Sequence, residues 1–126
     1  MRVFYSYKPL FILAVLDQAN KDGEVFLDSI VSYFLDYYSK RKNEGIIEKP
    51  DSTFVKYYGD YKKAEKTIIV YPLTIFEKKG FIKFIKEQRL VVINKTIWDH
   101  LSDTVKSDLH SSCLSHLSKY YNGLKS

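Results

Sequence analysis

The chain has 126 residues, an apolar fraction of 45% and a net charge of +5, which suits one hydrophobic core and excludes both two cores and wholesale disorder. Cys113 is the single cysteine, so an internal disulfide and a Cys-rich metal site are excluded. Residues 56–95 hold ten Lys or Arg against four Asp or Glu, while the rest of the chain sums to −1, so the basic character belongs to one segment.

A single domain over residues 1–126 is expected. Met1 to Tyr7 alternates loosely and suits a short strand or an arm. Pro9 is expected to open the first helix, where its missing N–H costs nothing. The run Leu10 to Leu16 is apolar all round and predicts a buried axial helix. It is far too short to span a bilayer, and no signal-peptide pattern precedes it, so a cytoplasmic protein away from membranes is expected.

Asp22-Gly23 is expected to end that helix, and Glu24-Val25-Phe26 to form an extended link. Asp28 or Ser29 then offers a cap for a second helix, whose inward face is Ile30, Val31, Phe34, Leu35 and Tyr38. Lys40, Arg41 and Lys42 close it, where cations complement the helix dipole. Asn43 to Thr53 carries Gly45 and Pro50 and predicts a loop.

Asp60 can cap a third helix through Val70, polar and basic at its start and apolar at its end. Pro72 is expected to break or restart it, giving a short fourth helix over Leu73 to Lys79 that stops at Gly80. Phe81–Ile85 and Leu90–Ile93 predict a β-hairpin. Trp98 and Leu101 suit a helical turn. Ser102 or Asp103 then caps a last helix with Val105, Leu109, Cys113 and Leu117 in a row, ended by Asn122-Gly123. The fold class expected is α+β, mainly helical, with a winged-helix-like core of about five helices and a small β-hairpin.

Catalytic patterns are lacking. His110 and His116 are six residues apart and do not share a face as an i, i+4 metal pair does. No Walker loop, nucleophile elbow or zinc-protease helix occurs. No cofactor and no enzymatic activity are expected. A basic helix followed by a basic hairpin instead suits DNA, most simply a duplex. The candidate contacts are Lys62, Lys63 and Lys66 on the third helix, Lys79 after the fourth, and Lys83, Lys86 and Arg89 on the hairpin. Arg89 is the lone Arg among the ten cations of the segment, which favours backbone contacts over base readout, where bidentate Arg dominates. Tyr57, Tyr58, Tyr61 and Tyr71 are available to stack on bases or donate to phosphates.

Two stretches carry a resemblance. Tyr7-Lys8-Pro9-Leu10 with its apolar helix, the Gly-Glu-Val link and the helix ending Tyr37-Tyr38-Ser39-Lys40-Arg41 form the first. The run Tyr71-Pro72-Leu73-Thr74-Ile75-Phe76-Glu77-Lys78-Lys79-Gly80-Phe81 is the second. Together they resemble small winged-helix-like domains attached to bacterial helicases and restriction endonucleases, and distantly the sulfur-binding domains of modification-dependent restriction enzymes. The resemblance implies a DNA-binding module in a restriction or antiviral-defence setting, partnered with a helicase or nuclease. It also implies that Tyr71 and Pro72 line an apolar pocket. A protein-docking module that tethers such an enzyme without touching DNA is the alternative: aromatic residues are enriched in interface cores and Lys is depleted there.

Overall fold

The computed structural model describes residues 7–43 and 61–125, with side chains described within 7–40 and 61–119. The expectations for the N-terminal arm, the loop after Asn43, Tyr57, Tyr58, the Asp60 cap and the side chains of Arg41, Lys42 and Tyr121 lie outside these residues.

The apolar run becomes the axis of the fold. Helix α1, Tyr7–Gln18, buries Tyr7, Pro9, Leu10, Phe11, Leu13, Ala14 and Val15. It starts two residues before Pro9, which still falls among the first four residues, whose N–H groups have no intrahelical partner. A turn follows in which the Asn20 side chain accepts from the N–H of Asp22 (2.9 Å) and of Glu24 (3.0 Å). Gly23 adopts φ +76° there, a left-handed conformation that glycine takes without steric cost.

Strand β1, Glu24–Phe26, runs directly into α2, Leu27–Asn43. Ile30, Val31, Phe34 and Tyr38 of α2 are fully buried against α1, as the helical spacing predicts. Asp28 is not a cap, because the helix already begins at Leu27.

Helix α3, Tyr61–Ile68, passes through a π-helical turn, Ile69–Leu73, into α4, Thr74–Lys78. Pro72 therefore widens the helix instead of breaking it. The residues at both junctions keep right-handed helical angles, and the Thr74 N–H and hydroxyl both donate to the Ile69 carbonyl. A π turn relieves the clash that a proline ring makes with the carbonyl four residues back. Gly80 ends the unit at φ +78°, with the Phe81 N–H bonded to the Phe76 carbonyl at 3.0 Å.

Strands β2, Ile82–Ile85, and β3, Leu90–Ile93, pair antiparallel with Lys83 opposite Val92. β3 also pairs with β1, Val25 opposite Val91, so the sheet order is β1-β3-β2. The extended link expected at Glu24–Phe26 is thus a third strand. Ile82, Val91 and Ile93 are buried on the inner face while Lys83 points out. Glu77 accepts the N–H of Phe84 at 2.7 Å, which occupies a backbone donor of the edge strand β2.

Asn94 caps the short helix α5, Lys95–Asp99, by accepting from Thr96 and Ile97. Ser102 accepts from the Val105 N–H at the start of α6, Asp103–Lys125. α6 continues through Asn122-Gly123, so that pair does not stop it. α6 packs along α1 through the buried Cys113 and Leu117.

Counting α3 and α4 as one unit, the described residues form five helical units and one three-stranded antiparallel sheet around a single core. The chain is α+β and mainly helical. Among the described residues, the order α1-β1-α2-α3-β2-β3 with strands arranged β1-β3-β2 matches the element order of a winged helix. Among the described residues no helix is long and apolar enough to cross a membrane.

Candidate nucleic-acid interface

Sequence alone decides which side of α3 faces out. At 100° per residue, Ala64 and Ile68 share one face, and both are buried. Lys62, Lys66 and Lys63 fall on the opposite face together with Val70, and all four are exposed, Val70 at 64%. The flank between these faces carries Tyr61 and Glu65.

That flank meets the tip of the hairpin. The tip is a 3₁₀ turn, Lys86–Gln88, closed by Arg89 at φ 50°. The Arg89 side chain donates from Nη2 to Asp28 Oδ1 at 2.8 Å and from Nε to Asp28 Oδ2 at 3.2 Å. Nη2 also donates to Glu65 Oε1. The Tyr61 hydroxyl completes the group by donating to Asp28 Oδ1. The first turns of α2 and α3 and the hairpin tip are thus tied to one another through four side chains. Hydrogen bonds from Arg89 first, and from Tyr61 second, hold the Asp28 carboxyl below its usual value. Partial burial and then the bond to Asp28 push the Tyr61 hydroxyl up to about 12. The two carboxylates raise Arg89 further still.

The eight residues singled out by sequence separate into four groups. Lys62, Lys63 and Lys66 stand together on α3, and Lys86 lies exposed three residues before Arg89 in the adjoining tip. Lys79 is exposed just beyond α4, at the far end of the helical unit from Lys62. Lys83 projects from the outer sheet face into a cleft of about 620 Å³ shared with Lys21, Lys95, Asp22, Glu24 and Asp99. Arg89 and Tyr71 make further contacts within the fold. The Arg89 guanidinium bridges the carboxylates of Asp28 and Glu65. Tyr71 is half-buried, its ring edge-on to Tyr7 at 5.8 Å and under the Lys8 ammonium at 5.9 Å, and Pro72 is buried. The Tyr-Pro step is packed against the core.

Asp28 and Glu65 are the members that sequence reasoning missed, and Tyr61, expected to meet bases or phosphates, bonds to Asp28. One signal pointed to the pair: a lone Arg among lysines, since the planar guanidinium fork is the cation suited to gripping two carboxylates at once.

A separate cleft of about 270 Å³ lies where α6 crosses the body of the domain. Its walls are apolar, with Phe11, Val15, Phe76, Phe81, Ile97 and Leu109 among them. Among the described residues, no three His, Cys, Asp or Glu side chains converge as metal ligands. No protein-family profile matches the chain, and no similar curated protein or solved structure was found.

Proposed function

We propose that this domain is a non-catalytic DNA-binding module that holds duplex phosphates with Lys62, Lys63 and Lys66 on α3 and Lys86 on the hairpin tip. One observation carries the reading: a winged-helix element order in which the helix following α2 in the described chain turns an all-cationic polar face outward, with the hairpin fastened beside it. Lysines act on phosphates as point charges, so the contacts position the duplex without reading its bases. Neutralising each phosphate releases counterions, which makes such binding strongly salt-dependent. The resemblance to domains attached to bacterial helicases and restriction endonucleases supports a role as the DNA-holding part of such a machine.

The apolar cleft beneath α6 favours a second role on a different surface, docking of the helicase or nuclease itself, since its walls lack the charge that DNA requires. Fluorescence anisotropy with a labelled duplex at two salt concentrations tests the main reading. Wild-type binding that weakens with salt, and weakens about tenfold or more in Lys62→Ala/Lys63→Ala, is the expected result. No wild-type binding at low salt overturns it and leaves docking.

A further inference from the structure

Arg89 leaves the hairpin with both its backbone and its side chain. Its N–H closes the tip on the Lys86 carbonyl at 3.1 Å, and its carbonyl accepts from Leu27, the first residue of α2, at 2.8 Å. Its guanidinium spans Asp28 of α2 and Glu65 of α3. Among the described residues it is the one non-glycine residue at positive φ. Such a conformation persists where surrounding bonds over-determine it. Here the fixed tip, two helix starts and four side chains do so.

We infer that Arg89 is a positioning residue, which sets the distance between the lysines of α3 and Lys86 of the tip and thereby makes the surface selective for duplex over single-stranded DNA. This rests on the DNA-binding reading above. Phosphates of a duplex lie at fixed separations across a groove, so cations on two rigidly joined elements match them together. A single strand is flexible and follows a rigid or a loosened set of lysines equally well. Loosening the joint therefore harms duplex binding and leaves single-strand binding alone. Had Arg89 been a phosphate contact held in check by Glu65, removing the Glu65 charge would free it, and duplex binding would tighten. The two roles predict opposite signs for one substitution.

The test is anisotropy titration of a labelled duplex and of its single strand, for wild type, Glu65→Gln and Arg89→Lys, with circular dichroism melts to confirm folding. Glu65→Gln is expected to weaken duplex binding about fivefold to tenfold, although it removes a negative charge beside Lys62 and Lys66, and to leave the single strand unchanged. Arg89→Lys should do the same, because an ammonium lacks the fork that holds both carboxylates. Where Arg89→Lys does not fold, Glu65→Gln decides. Tighter duplex binding by Glu65→Gln, equal weakening on both DNAs, or equal wild-type affinity for both overturns the inference and spares the DNA-binding reading. Absence of wild-type binding to either DNA overturns both.

Discussion

Two lysine-bearing surfaces of this domain look alike in the sequence and differ in their neighbours. On α3, Lys62, Lys63 and Lys66 face outward with Val70, and Glu65 on the flank accepts from Arg89. In the cleft over the sheet, Lys21, Lys83 and Lys95 are matched by Asp22, Glu24 and Asp99. A phosphate approaching the first surface meets three outward lysines; at the second it meets a set in which lysines and carboxylates alternate. The placement of carboxylates, more than the number of lysines, decides which surface can hold a polyanion.

The sharpest way to break this comparison is to reverse charge on α3. Lys62→Glu/Lys66→Glu should cost more than a hundredfold in duplex affinity near 0.1 M salt, or about 3 kcal/mol, read by anisotropy. Both side chains are exposed, so the melting temperature should change little. If the affinity survives, the two surfaces do not differ as described.

Next in size is a test that the sheet cleft is a structural joint. A Cβ at Gly23 would lie 2.8 Å from Trp98 Cγ, at φ +76°. Trp98 is itself fixed, its Nε1 donating to the Lys21 carbonyl at 2.9 Å and its ring lying under the Lys106 ammonium at 4.0 Å. Gly23→Ala should therefore destabilise by about 2–4 kcal/mol in urea unfolding, adding left-handed strain to overpacking. Gly80 has the same kind of φ but open space around it, so Gly80→Ala should cost only about 1 kcal/mol. Equal losses at the two glycines would show that Trp98 yields easily.

Smaller effects follow from titration. Asp28 has a folded value below its usual 3.8, chiefly through Arg89 and then Tyr61. A lowered carboxyl stabilises the fold fully above that usual value and loses its contribution as pH falls through the folded one. Asp28→Asn should flatten the acid limb of a stability–pH profile below pH 4. Burial pushes the Cys113 thiol up to about 11, so its contribution is present below the usual value of 9 and is lost as pH rises through 11. The smallest expected effect closes the comparison: Lys83→Ala/Lys95→Ala should change duplex affinity by less than twofold.

Much of the fold was legible because it is written in local patterns. The all-apolar run of α1, the one-sided spacing of α2, the Gly80 stop and the Ser102 cap each depend on neighbours in sequence. What escaped prediction was non-local. β1 has three residues and becomes a strand only by pairing with β3, more than sixty positions away. Pro72 reads as a breaker, but a π turn and the Thr74 hydroxyl accommodate it. The site divides in the same way. The exposed face of α3 followed from helical period, whereas the carboxylate partners of Arg89 were not legible, because Asp28 and Glu65 come from distant segments that meet only in the folded chain. The packing of Tyr71 was hidden for a related reason: its neighbour Tyr7 belongs to α1.

The central claim is that the α3 face and the adjoining tip, and not the sheet cleft, hold duplex phosphates. The most direct test is the slope of log binding constant against log salt, for wild type, Lys62→Ala/Lys63→Ala/Lys66→Ala and Lys83→Ala/Lys95→Ala. Four phosphate-holding lysines predict a wild-type slope of about −3.6 at ~0.9 per contact, and loss of three should bring it to about −1. The sheet double variant should keep the wild-type slope. A triple variant with the wild-type slope, or a sheet variant that loses it, would contradict the account.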